Sequence, residues 1–232
     1  MRLFAYYSRR KIWIFSIIFG VYLILLFFQA HGEFSFFHQC LEQYPSLLVA
    51  LLASFILVSD TENEFAKCYG IKFTNLALSQ WMPHFLYPFL IACFSCPIYF
   101  EFYKRGLLHD YLLPINNINY GIILFSLFVT FLLVSSFSLL VRVLLRNIYG
   151  TFGAILIMFS PFYILHNKLL LRQVSMEMAK YDIWITGLLY SDLYNVSMAQ
   201  WLHNRLFFLI IAICFLFSSF IILKQKNYEN IH

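Results

Sequence analysis

Six stretches of the chain, residues 12–28, 45–59, 81–100, 118–141, 148–165 and 206–223, contain no Asp, Glu, Lys or Arg at all. No other feature constrains the fold as strongly. A helix of about 20 apolar residues, within a range of about 17–25, crosses the ~30 Å hydrocarbon core of a bilayer. A charge at the centre of such a helix opposes insertion by about 2.5–3.5 kcal/mol. Residues 45–59 form the shortest run, which crosses when extended through Tyr44 or where the bilayer thins slightly. The expectation is an all-α integral membrane protein, a single transmembrane domain over residues 1–232 with six transmembrane helices.

Composition agrees, because 62% of the residues are hydrophobic and only 12% are charged. A soluble domain carries about a quarter charged residues, so a water-facing surface cannot be assembled from this chain. The excess of sixteen Lys and Arg over eleven Asp and Glu gives a formal charge of +5. These cations sit between the apolar runs, where they set membrane orientation, rather than on one basic stripe of the kind that binds nucleic acid. No nucleic-acid partner is expected.

Six spans put both termini on one side. With cytoplasmic termini the inner segments hold Arg2, Arg9, Arg10, Lys11, Lys67, Lys72, Arg142, Arg146, Lys224 and Lys226. The outer segments then hold only Lys104, Arg105, Lys168, Arg172, Lys180 and Arg205, four of them in one long loop. The positive-inside rule therefore predicts a multi-pass protein of the cell membrane with both termini cytoplasmic. Arg9-Arg10-Lys11 before an apolar run has the look of a twin-arginine signal. No small-residue cleavage site follows it, and the expected role is an interfacial anchor whose Leu3, Phe4, Tyr6 and Tyr7 meet the headgroup region. Membrane lipid is the partner of that segment.

Residues 142–147 are too few for anything but a tight inner turn, whereas 166–205 form the longest connection. That connection contains Ile183-Trp184-Ile185, Leu188-Leu189-Tyr190 and Trp201-Leu202, which are too apolar to be freely solvated. Short re-entrant outer helices before the last span, carrying Trp184 and Trp201 and broken near Gly187, satisfy that apolarity. Such backbone is stable only where protein or a water-lined cavity covers it. The alternative is an amphipathic helix lying on the outer surface.

Several chemistries lack their residues. No glycine begins a phosphate-cradling loop, and the seven His are scattered singly rather than at metal-ligand spacing. His84, the only His inside a run, reads as hydrogen-bonded or interfacial, with a protonation site as the alternative. Cys93-Phe94-Ser95-Cys96 is a C-x-x-C without thioredoxin context, and packing is its expected role. His38 and Cys40 form the one close Cys–His pair, without a third orienting group. Five Cys imply no disulfide framework. Ionisable residues at the membrane midplane, which ion-coupled transporters use, are absent from all six runs. Ser126, Thr130, Ser135, Ser136, Ser160 and Ser218 read mostly as small residues that let helices approach. No converging set of polar groups of the kind an enzyme needs is evident on neighbouring spans.

The stretch between the second and third runs is the most informative. Asp60-Thr61-Glu62-Asn63-Glu64 lies just inside the membrane and is followed by Gly70, then by Thr74-Asn75-Leu76-Ala77-Leu78-Ser79-Gln80 leading directly into the next run. This arrangement resembles the type-2 ATP-binding-cassette (ABC) exporter permeases, in which an acidic cluster and a glycine precede a short cytoplasmic coupling helix. On that resemblance Glu62 and Glu64 correspond to the acidic cluster, Gly70 to the glycine, and Thr74, Asn75 and Ser79 to the coupling helix between spans 2 and 3. The departure is that Gly70 stands well beyond Glu64 and precedes Ile71, which leaves the register of the coupling helix open. A solvated juxtamembrane turn is the plain alternative for the two glutamates.

The resemblance implies a transport subunit that is no enzyme itself and holds no cofactor or metal, with ATP and Mg bound by a separate ABC ATPase subunit. It also implies a homodimer or pairing with a related permease. The Phe and Tyr content, 28 and 16 residues, suits an amphipathic peptide, bacteriocin or hydrophobic drug as cargo, exported or resisted as a form of immunity. The rival readings are a substrate-binding membrane subunit of a vitamin-type importer, a stand-alone membrane immunity protein and a membrane enzyme.

Overall fold

The computed structural model describes residues 45–50, 73–104, 120–145, 147–170, 178, 181–184 and 198–229. All regular secondary structure among them is helical. Residues 45–50 are helical, and four long helices follow: α1 (Phe73–Lys104), α2 (Tyr120–Leu145), α3 (Ile148–Leu170) and α4 (Met198–Glu229). The run 12–28, most of 45–59, the N-terminal anchor, Glu62, Glu64, Gly70 and Gly187 lie outside the described residues.

Each of the last four apolar runs coincides with one long helix, yet the helices overrun them. The run 81–100 sits inside α1, 118–141 begins α2 at Tyr120 and continues to Leu145, and 206–223 sits inside α4. Hydropathy marks only the stretch that tolerates hydrocarbon. Backbone hydrogen bonding carries the helix on through polar flanks, since adding a residue to a formed helix is far easier than starting one. Two helices, Tyr120–Leu145 and Ala199–Leu223, are long and apolar enough to cross a membrane, and His84–Ile98 and Tyr149–Leu165 are shorter apolar helices.

α2 is the hub, against which α1, α3 and α4 all pack. Its residues from Phe131 to Ser136 are buried without a break. An amphipathic helix hides one stripe, so burial on every side means neighbours all round. Aromatic edges seat the neighbours: Phe85 and Phe89 of α1 meet Phe128 at centroid distances of 5.3 and 5.9 Å, and Phe215 of α4 meets Phe137 at 5.6 Å. Small buried residues, among them Ala92, Ser95, Ser135 and Ala212, permit close approach of the helices. Ser136 and Ser138 turn their hydroxyls back onto the carbonyls of Leu133 and Val134 at 2.8 and 2.7 Å, which satisfies them inside an apolar core.

Contacts fix the helix directions. His84 of α1 is buried with Nδ1 3.2 Å from Ser135 Oγ, and Cys96 Sγ donates to the Tyr120 carbonyl, so α1 runs antiparallel to α2. Trp201 contacts Ser126 while Phe215 contacts Phe137, so α4 runs parallel to α2. The turn expected at 142–147 is shorter than that, because residues 142–145 still belong to α2, and from Ile148 α3 runs back along α2. Asn147 caps α3, with Oδ1 accepting the Tyr149 amide at 2.9 Å and its carbonyl accepting the Thr151 amide and hydroxyl at 3.0 and 2.7 Å. A Cβ at Gly150 would come within 3.3 Å of Leu145 Cδ1, so the turn closes tightly there. The start of α1, this turn and the end of α4 share one end of the molecule. The starts of α2 and α4 share the other.

Candidate functional site

At that second end a polar cluster is sunk into the apolar core. Trp201, Asn204 and Arg205 stand three and four residues apart on the first turns of α4, and Ser126 and Thr130 stand four apart on α2, so each set lies on one helix face. All five are buried, and Arg205 has no accessible surface. Residues 182–184, which are not helical, are buried beside them with Asp182 and Ile183 fully enclosed.

The bonds converge on two consecutive main-chain carbonyls. Arg205 Nη1 donates to the Ile183 carbonyl at 3.2 Å and to Thr130 Oγ1 at 3.0 Å, while Thr130 Oγ1 donates to the same Ile183 carbonyl at 2.9 Å. Arg205 Nη2 and Asn204 Nδ2 both donate to the Asp182 carbonyl, at 3.4 and 3.1 Å. Trp201 Nε1 donates to Ser126 Oγ at 3.1 Å, which ties α4 to α2 one turn away. The Asp182 carboxylate closes a local turn by accepting the Trp184 amide at 3.0 Å. Hydrogen bonds to an ionised group contribute about 1.5–3 kcal/mol each, so the Arg205 guanidinium is the strongest single tie in this cluster.

Trp184 anchors the segment on its other side. Its ring stacks on Phe159 of α3 with centroids 5.7 Å apart and planes 18° from parallel, within a core cluster that includes Leu133, Ile155 and Phe208. Its indole N–H is buried and has no hydrogen-bond partner among the described residues. A donor left in that state costs about 1–3 kcal/mol.

Of the outer residues singled out in the sequence, Trp184 and Trp201 are both buried and both belong to this region. Residues 182–184, between α3 and α4, are buried inside the protein. Thr74, Asn75 and Ser79 fall in the first turns of α1, at the opposite end of the molecule from the cluster. The sequence placed Arg205 in a loop and found no converging polar groups on neighbouring spans. Here Ser126, Thr130, Asn204 and Arg205 do converge, because α4 begins at Met198, roughly two turns before the charge-free run. The i, i+3, i+4 spacing of Trp201, Asn204 and Arg205 was the available signal.

Chemically, these bonds fix backbone rather than move a proton, since the acceptors are carbonyls and hydroxyls. Among the described residues no three His, Cys, Asp or Glu side chains lie close enough to hold a metal ion. Next to the cluster, through the edge contact of Phe125 with Trp201 at 6.2 Å, lies an open apolar groove of about 270 Å³ lined by Phe85, Phe89, Gly121, Leu124, Phe125 and Phe128. Compared with known protein families, curated proteins and solved structures, the chain matches none.

Proposed function

We propose that the chain is the permease subunit of an ATP-driven exporter, with six membrane spans and both termini cytoplasmic, working with a separate ABC ATPase subunit and a second permease copy. The observation that carries this reading is the continuity of α1. The segment Thr74 to Gln80, which resembles a coupling helix, forms the first turns of one helix that runs to Lys104 and packs along α2. A displacement applied at the start of such a helix is transmitted as a rigid-body movement of the packed pair. The alternating directions of α1, α2 and α3, with α4 parallel to α2, are those of successive spans, and the Lys and Arg distribution supports the cytoplasmic side for the termini. In that orientation the Arg205 cluster lies toward the outer face. The aromatic groove between α1 and α2 suits an amphipathic peptide, bacteriocin or hydrophobic drug.

The second reading, a membrane enzyme or stand-alone immunity protein, needs no ATPase. One experiment separates the two. An ATPase encoded beside this gene is expected to co-purify with the chain, and Glu62→Ala with Glu64→Ala to reduce its recovery several-fold. If no ATPase associates, the permease reading fails, and activity retained without any ATPase supports the second.

A further inference from the structure

Residues 182–184 are singular among the described residues, being a non-helical stretch whose Asp182, Ile183 and Trp184 are enclosed by apolar helices. Backbone without helical bonds is tolerated at such a place only if its carbonyls are satisfied by neighbours. Here the satisfaction comes from a small set of side chains. Arg205, Asn204 and Thr130 each donate to this stretch at the Asp182 or Ile183 carbonyl. Arg205 serves both carbonyls. On the opposite side the grip is weaker in kind, since Trp184 is held by stacking on Phe159 and its buried indole N–H is unpaired.

We propose that residues 182–184 form a releasable strap, seated between α2, α3 and α4, and that Arg205 is the positioning residue that keeps it seated. In the seated state Nη1 and Nη2 of the guanidinium donate to the two carbonyls, whereas the Trp184 indole N–H makes no hydrogen bond among the described residues. In the released state the indole reaches a partner and the guanidinium gives up its carbonyls. Opposing preferences of this kind make a two-state element, which a change at either residue biases. The inference rests on packing alone, so it stands or falls separately from the permease reading.

The test uses the purified full chain in detergent micelles with Ile183→Cys as reporter. The carbonyl that Arg205 and Thr130 hold is main chain and survives this substitution. Cys40, Cys68, Cys93 and Cys214 are replaced by serine, and the buried Cys96 stays as an internal reference. Reaction with a water-soluble maleimide is followed at both sites by mass spectrometry. Labelling of a buried thiol tracks the population of the open form. Adding Arg205→Gln is expected to raise the rate at position 183 on the order of tenfold or more, from the loss of bonds to a charged group, with Cys96 unchanged. An unchanged rate at 183, an equal rise at Cys96, or fast labelling at 183 with Arg205 intact each overturns the proposal. If the Arg205→Gln protein does not fold, Thr130→Val removes another donor to the Ile183 carbonyl and is judged by the same criteria.

Discussion

At the scale of single residues, the burial of Arg205 reverses what its charge leads one to expect. Its long side chain brings a cation into an apolar core, where desolvation is offset only because acceptors meet it. Removing an acceptor therefore matters more than the hydrogen bond alone. Thr130→Val, close in shape, deletes the hydroxyl that both accepts from Arg205 and donates to the Ile183 carbonyl. Bonds between helices in lipid average about 0.6 kcal/mol and reach about 1.7, and this variant is expected at or above that upper figure. Trp201→Phe, which loses one bond to Ser126 while keeping the ring, is expected nearer the average. Thermal unfolding in detergent measures both, and a Trp201→Phe loss larger than that of Thr130→Val contradicts this ranking. The sequence made Trp184 and Trp201 legible, because large apolar side chains in a connecting segment need cover. It concealed Arg205, because reading apolar runs ends each helix at its first charge, whereas here the charge lies inside the helix and turns inward.

At the scale of elements, helix existence was legible and helix ends were not. The runs around α1 to α4 announce themselves by hydropathy, but the overrun from Phe73 to Lys104 and from Met198 to Glu229 depends on backbone bonding that hydropathy does not register. α2 likewise outran its run, ending at Leu145, yet the brevity of the turn before α3 made that turn legible. Its stability is expected to rest on the Asn147 cap. Asn147→Ala should cost about 1 kcal/mol, while Asn147→Asp should keep most of the cap because it preserves the accepting oxygen. Unfolding midpoints of the two variants, compared with the parent, decide the matter: equal losses would mean that the side-chain bond contributes nothing.

At the scale of the whole molecule, the fold is a hub with unequal spokes. Of the most apolar stretch of α2, 72% is buried inside the protein, against 17% for α4. Large apolar side chains on α4, among them Leu206, Ile210, Ile213, Phe217 and Ile221, are exposed, as are Leu156 and Ile157 on α3. Water would not tolerate such a surface, whereas hydrocarbon would. The chain is therefore expected to stay with the membrane pellet after alkaline carbonate extraction, and its release would contradict membrane integration. Hydropathy could not distinguish the hub from the spokes, because a side chain facing lipid and one facing protein are equally apolar.

That inequality bears on how the sequence is free to change. Positions in the middle of α2, from Val129 to Ser136, are confined by neighbours on every side, so a methyl group more or less is felt directly. Positions on the bare side of α4 need only be oily. In a saturation library selected for folded protein, α2 should tolerate few substitutions from Val129 to Ser136 and more at its exposed ends, Tyr120, Leu144 and Leu145. α4 should accept one aliphatic residue for another every three or four positions and refuse them at Trp201, Asn204, Arg205, Phe208 and Ala212. The chain would then carry a record of its surroundings in its pattern of permitted change, written on one helix as a central silence and on another as a rhythm.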